Sequence, residues 1–151
     1  MPSVESAPMN TALPKPTDLL PHRDPFLLLT NIIKLEPGTF CVAEWVLSGQ
    51  ESFWSGHFPG RPTLPGVLMI ESMAQAGACA ILADEAFAAK LPLFGGVDGV
   101  RFRHQVVPGD TLVVEVTLGR MSSRAGKGTG RATVNGKLAS EAELLFVLAD
   151  R

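Results

Sequence analysis

The sequence has no tyrosine, only two cysteines and three histidines, and a formal net charge of -2 over 151 residues. Without tyrosine there is no phenol to act as nucleophile or acid. Two cysteines, Cys41 and Cys79, cannot build a disulfide scaffold or a cysteine-ligated zinc site, and they read as packed apolar residues. The missing positive excess argues against a nucleic-acid binder. No apolar run is long enough for a membrane span: the most apolar stretch, Val67 to Ala83, is interrupted by Glu71 and Gln75 and falls short of roughly 20 residues. Met1 to Thr17 lacks the apolar run of a signal peptide and carries Pro2, Pro8, Pro14 and Pro16. It reads as a flexible tail (1–17) ahead of one domain (18–151). What is present is ample apolar content, 46% of residues, enough to give a chain of this length a real core. A soluble, cytoplasmic protein is expected.

Beyond the tail, Phe26 to Glu36 is rich in branched apolar residues and stops at Pro37-Gly38, a turn signal. Thr39 to Ser48 then reads as the returning strand of a hairpin. Ser55 to Gly66 (SGHFPGRPTLPG) is dense in glycine and proline and contains a histidine, the mark of a functional loop rather than a linker. Val67 to about Ala89 favours helix and is apolar on nearly every face, so something must wrap it. Phe94–Phe102, Thr111–Met121, Gly128–Val134 and Lys137–Leu148 read as the wrapping strands. Asn135-Gly136 is a strong hairpin signal between the last two, and Ser122 to Lys127 reads as a polar loop. This order predicts an α+β fold, an antiparallel sheet curled around one central helix.

His57 lies in Gly56-His57-Phe58-Pro59-Gly60, where flanking glycines let backbone and ligand approach closely. Glu71 falls about one turn into the buried helix, where a carboxyl must be paired, neutralised or functional. Gln75 follows at i+4 on the same face and can orient Glu71 by a hydrogen bond. Pro65-Gly66 precedes the helix, where free N–H groups and the positive dipole end favour a developing negative oxygen. A base, an acid and an oxyanion donor are therefore available in one short span. The same residue types also fit a solvated loop histidine, a structural Glu–Gln pair and an ordinary helix start.

The order of motifs adds a resemblance. Leu19-Leu20-Pro21-His22-Arg23, Pro25-Phe26-Leu27-Leu28, the run GHFPGRPTLPGVLMIESMAQ (Gly56 to Gln75), Phe94 to Phe102 and Val106-Val107-Pro108-Gly109-Asp110 together closely resemble the FabZ-type 3-hydroxyacyl-acyl carrier protein dehydratases. The match runs from about Asp18 to the end. It implies a hot-dog fold and a homodimer, or a higher oligomer, whose sheets join and whose active sites lie at the subunit interface. It also implies His57 as catalytic base, Glu71 as catalytic acid working across that interface, and Gly66 as the backbone donor to the thioester carbonyl. The FabA type has aspartate where Glu71 stands and also isomerises the double bond, so Glu71 implies dehydration without isomerisation. The chain departs from the family at Asp24 (often tyrosine), at Thr30 or Asn31 (usually acidic) and at Val46-Leu47-Ser48, while Glu51 and Phe53 fit.

The implied substrate is a (3R)-3-hydroxyacyl thioester on the phosphopantetheine of acyl carrier protein. An imidazole suits removal of the C2 proton, an N–H at the helix start suits the enolate oxygen, and a buried carboxyl suits protonation of the leaving hydroxyl. No metal or cofactor is expected. His22-Arg23 reads either as a second site or as a packing motif before the strand. Arg101, Arg103, Arg120, Arg124, Lys127 and Arg131 outnumber Asp110 and Glu115, and are candidates either for steering an acidic carrier protein or for a merely solvated sheet face. Two other functions fit: a hot-dog thioesterase, and a non-catalytic dimerisation or carrier-binding partner.

Overall fold

The computed structural model describes residues 12–151. Most of the expected tail, residues 1–11, lies outside them. Its last two residues, Pro16 and Thr17, open a short helix, α1 (Pro16–Leu19), in which Pro16 is buried. Then come β1 (Asn31–Glu36), β2 (Phe40–Val46), a 3-10 turn at Trp54–Gly56, the long helix α2 (Gly66–Leu82), and β3 (Lys90–Phe102), β4 (Thr111–Met121), β5 (Ala125–Val134) and β6 (Lys137–Asp150). The strands form one antiparallel sheet in the order β1-β2-β4-β5-β6-β3. This is the α+β hot-dog arrangement, a sheet wrapped around one helix.

The alternation along β4 and β5 puts every second side chain under the helix, as a half-buried strand requires. Val114, Val116, Leu112, Ala132, Leu144 and Phe146 meet Met73, Ala76, Cys79, Ala80 and Ile81 in one core. The helix nests closely because Ala74, Ala76, Gly77, Ala78 and Ala80 are small. Asn135 and Gly136 both take positive φ, 50° and 79°, the conformation of the tight hairpin turn that joins β5 to β6.

Four boundaries differ from the sequence reading by more than two residues. The helix ends at Leu82 rather than near Ala89. Gly38 N–H donates to Ala80 O (2.9 Å) and Asp84 N–H to Ile81 O (3.1 Å), while the Asp84 carboxylate accepts from Ala86 N–H (3.0 Å). These local bonds satisfy the backbone in a turn instead of a further helical turn. The first strand begins at Asn31 rather than Phe26, because the backbone of Phe26 and Leu28 is bonded to the Gln75 side chain. β3 starts at Lys90, four positions earlier than expected, by pairing with the end of β6. β5 starts at Ala125, inside the expected polar loop, because Ala125 already pairs with Val147 of β6. No helix among the described residues is long and apolar enough to cross a membrane.

Candidate active site

The loop between the 3-10 turn and α2 is pinned at several points. His57 N–H donates to Trp54 O (3.2 Å), Thr63 N–H to His57 O (2.7 Å) and Leu64 N–H to Val106 O (2.8 Å). The His57 ring stacks on Phe58, with centroids 4.0 Å apart and planes 27° from parallel. Its Nδ1 lies 2.9 Å from Thr63 O. A carbonyl oxygen only accepts, so this contact assigns the ring proton of the neutral imidazole to Nδ1. Nε2 then carries the lone pair, and it has no hydrogen-bond partner among the described residues.

His57 lines a cavity of about 460 Å³ together with Thr63, Gly66, Val67, Phe102 and Arg103. That is the size of a small-molecule site. Gly66 is the first residue of α2. Its N–H has no acceptor among the described residues, as the first N–H groups of a helix generally do not. A Cβ at Gly66 would lie 2.6 Å from the Phe102 ring, so only glycine lets that ring close over the helix start.

Glu71 belongs to a second place. With Ala74, Gln75 and Ala78 it forms one face of α2, the i, i+3, i+4, i+7 pattern. These residues line a small cavity of about 50 Å³ with His22, Pro92, Phe94 and Phe146. The Glu71 side chain is 22% exposed and its Oε2 lies 3.7 Å from His22 Nε2. Burial of the acid expected from sequence is thus partial. Gln75, by contrast, is 1% exposed and fully engaged. Its Nε2 donates to Glu71 Oε2 (3.0 Å) and to Phe26 O (2.9 Å), and its Oε1 accepts from Leu28 N–H (2.9 Å). These bonds fix which end of the amide is nitrogen, and they hold the carboxylate against the loop from Phe26 to Leu28.

Within one chain, His57 and Gly66 stand together, and Glu71 and Gln75 stand together, but the two pairs line cavities with no residue in common. Around both cavities the surface is apolar and open. Val67 is 71% exposed, Phe102 53% and Phe58 52%, and Leu93, Phe94 and Val97 are exposed along β3. β3 is an edge of the sheet. A long edge strand bearing apolar side chains is a surface that proteins normally cover or pair.

The other sequence candidates fall elsewhere. Arg103 is paired with Glu141 (2.6 Å). Arg131 stands in register between Glu115 and Glu141, so these two arginines face carboxylates rather than a free cationic patch. Cys41 and Cys79 are fully buried without a disulfide. A hydrogen bond with the Cys41 thiol, together with burial, pushes the Cys79 thiol well up. Among the described residues no His, Cys, Asp and Glu cluster could hold a metal ion. Sequence reasoning missed Thr63, whose carbonyl sets the His57 tautomer, and Phe102, which closes over Gly66. The first acts through its backbone and the second is 36 positions away from its glycine, so neither leaves a local signal.

Comparison with known proteins bears on this arrangement. A family model described as the FabA-like domain matches residues 20–143. The chain is 54% identical over 132 residues to a 3-hydroxyacyl-acyl-carrier-protein dehydratase FabZ of Chloroflexus aggregans, covering 87% of this chain and 92% of that protein. It is 50% identical over 133 residues to the enzyme of the same name from Moorella thermoacetica, covering 88% and 93%. Among solved structures, the dehydratase heterocomplex ApeI:P from Xenorhabdus doucetiae superimposes with a TM-score of 0.76 over 93% of this chain and 94% of that one. At 21% identity that is a likeness of fold alone.

Proposed function

Since this chain belongs to the FabA-like family, we propose that it carries out the reaction for which its FabZ relatives are named. It removes water from 3-hydroxyacyl thioesters on acyl carrier protein, as a hydro-lyase of fatty-acid or related acyl-chain synthesis. His57 is the base, Glu71 the acid, Gly66 the oxyanion donor and Gln75 the residue that orients the acid. The single observation that carries the base assignment is the Nδ1 contact with Thr63 O. It leaves Nε2 as a free acceptor on the same cavity as the unpartnered Gly66 N–H.

The reaction balances on these groups alone. The C2–H bond breaks and its proton goes to His57 Nε2. Its electron pair forms the C2–C3 double bond as the C3–O bond breaks, and Glu71 supplies the proton that turns the departing hydroxide into water. During this step charge accumulates on the thioester oxygen. Gly66 N–H, preorganised at the helix start, stabilises it where it forms. No cofactor takes part. Glutamate rather than aspartate at position 71 fits dehydration without isomerisation.

The separation of the two pairs within one chain supports a site shared between subunits. A twofold homodimer joined along β3 covers the apolar edge and brings the Glu71 face of one subunit to the His57 loop of the other, twice. The carrier protein approaches the open cavity mouth, in the cytoplasm. The test is mass spectrometry of 3-hydroxyacyl-carrier substrates. The wild type yields the 2-enoyl product without release of free thiol, which a thioesterase would give. His57→Ala and Glu71→Gln lose about 10²- to 10⁴-fold in rate. A well-folded His57→Ala protein with near-wild-type turnover would remove the base assignment.

A further inference from the structure

The LLPHR segment ahead of β1 has no part in the chemistry above, yet it is built as a device. Leu20 is buried in the core. The Arg23 guanidinium donates to three backbone carbonyls of its own segment: His22 O at 2.7 Å, Leu20 O at 2.8 Å and Thr17 O at 3.4 Å. An arginine spent in this way fixes the backbone from Thr17 through His22. The imidazole is thereby presented over the Glu71 face of α2, with Nε2 3.7 Å from Glu71 Oε2. The other ring nitrogen, Nδ1, is buried and has no partner among the described residues.

This asymmetry assigns the tautomer. A neutral imidazole carries one N–H. On Nδ1 that hydrogen would be a buried donor without an acceptor, an arrangement proteins avoid. On Nε2 it faces a carboxylate oxygen. The same Oε2 already accepts from Gln75 Nε2 at 3.0 Å. Gln75 cannot turn over, since its own oxygen is held by Leu28 N–H. Two N–H groups therefore aim at Oε2, while no group among the described residues engages Oε1.

We propose that His22 is a positioning residue for the acid. With Gln75 it makes Oε2 the accepting oxygen, so that the proton delivered to the substrate hydroxyl rides on Oε1. The inference rests on the reading of Glu71 as the acid. At 3.7 Å the His22 contact is longer than a hydrogen bond. The proposal requires it to shorten in the substrate complex, as catalytic contacts commonly do. Without the second donor a single bond from Gln75 holds Oε2, and the acidic oxygen is aimed less firmly.

A change of leaving group isolates this role. In a 3-chloroacyl thioester the C3–Cl bond breaks with its electron pair leaving on chloride, while His57 takes the C2 proton. No proton from Glu71 is required. The variants are His22→Phe, which keeps a ring in the same space without a donor, and His22→Gln, whose amide nitrogen replaces Nε2. Each is assayed on 3-hydroxybutyryl- and 3-chlorobutyryl-carrier thioesters, with spontaneous chloride loss subtracted, and each is checked by thermal melting. Expected for His22→Phe is a kcat about 10- to 100-fold lower on the hydroxy substrate with KM little changed. On the chloro substrate the rate stays within about threefold. His22→Gln recovers most of the lost kcat. Equal losses on both substrates, or no loss on the hydroxy substrate, overturn the proposal. Glu71→Gln run in parallel keeps the two readings apart. If it spares chloride elimination while His22→Phe does not, only the His22 proposal falls. If it fails equally on both substrates, the acid assignment falls with it.

Discussion

Replacing Gln75 by methionine is the most direct probe of how Glu71, the proposed acid, is held. Methionine has nearly the same length and volume, so no large cavity forms and the change is confined to hydrogen bonding. Three bonds disappear: Leu28 N–H to Oε1, and Nε2 to Phe26 O and to Glu71 Oε2. The Leu28 amide is buried and loses its only partner among the described residues, which costs about 1–3 kcal/mol. The Phe26 carbonyl is partly open to water and contributes less, and Glu71 is hydrated in part. The sum is about 2–4 kcal/mol, which for a domain of this size lowers the melting temperature by about 5–15 °C. Turnover should fall further than stability accounts for, at least about tenfold at a temperature where the variant is fully folded, because the carboxyl loses its close donor. Calorimetry and steady-state rates on one preparation measure both. A variant that melts within about 2 °C of wild type would refute the claim that this amide joins the loop to the helix. One that keeps wild-type kcat would refute its role in orienting Glu71.

Co-expressed His57→Ala and Glu71→Gln chains should complement each other. Random pairing makes about half of the dimers mixed, each with one intact and one doubly damaged site, so activity returns to roughly a quarter of wild type; verified mixed dimers that stay inactive would place both residues in one subunit. A separate expectation concerns acid. Partial burial pushes the Glu51 carboxyl up, but hydrogen bonds from the Trp54 indole (2.7 Å), the Gly49 N–H (3.0 Å) and the Ser48 hydroxyl (3.1 Å) outweigh it and hold the group below its ordinary value. A carboxyl lowered in the folded state stabilises above its unfolded pKa, near 4.3 for glutamate, and loses that contribution as pH falls through the lower folded value. Melting temperature should therefore decline below about pH 4.3 more steeply in wild type than in Glu51→Gln, and parallel acid profiles for the two would contradict the assignment.

The parts of the fold that were legible in the sequence are those set by local chemistry. Asn135-Gly136 announces its hairpin because positive φ at two successive residues selects those side chains, and the folded β4 has the expected bounds, Thr111–Met121. The all-round apolar helix implied a wrapping sheet because nothing else could bury it. The boundaries that failed were set by partners far along the chain. Phe26 to Thr30 has strand-like composition, yet Gln75, 49 and 47 residues from Phe26 and Leu28, takes their backbone groups. The helix stops early because Asp84 satisfies a backbone N–H two residues on, although the composition favours helix through that position.

The candidate site divides along the same line. His57, Gly66, Glu71 and Gln75 stood out by their setting and by the motif run that contains them: a histidine between glycines, a glycine at a helix start, a carboxyl and an amide on a buried helix, each of which also fits a structural role. Their directions did not. Whether His57 presents Nδ1 or Nε2 depends on the carbonyl of Thr63, and every residue offers a carbonyl, so no side chain advertises that choice. Whether Glu71 faces its own His57 depends on where α2 lies relative to β3, Pro92 and Phe94. Sequence spacing suggests one compact site, since fourteen residues separate the two groups. The folded chain puts them on separate cavities beside the apolar strand β3 at the end of the described sheet. The proposed second copy of the chain would bring the Glu71 face to the His57 loop and cover the exposed apolar strand at once. That is why the complementation experiment, rather than either single substitution, tests the architecture of the site.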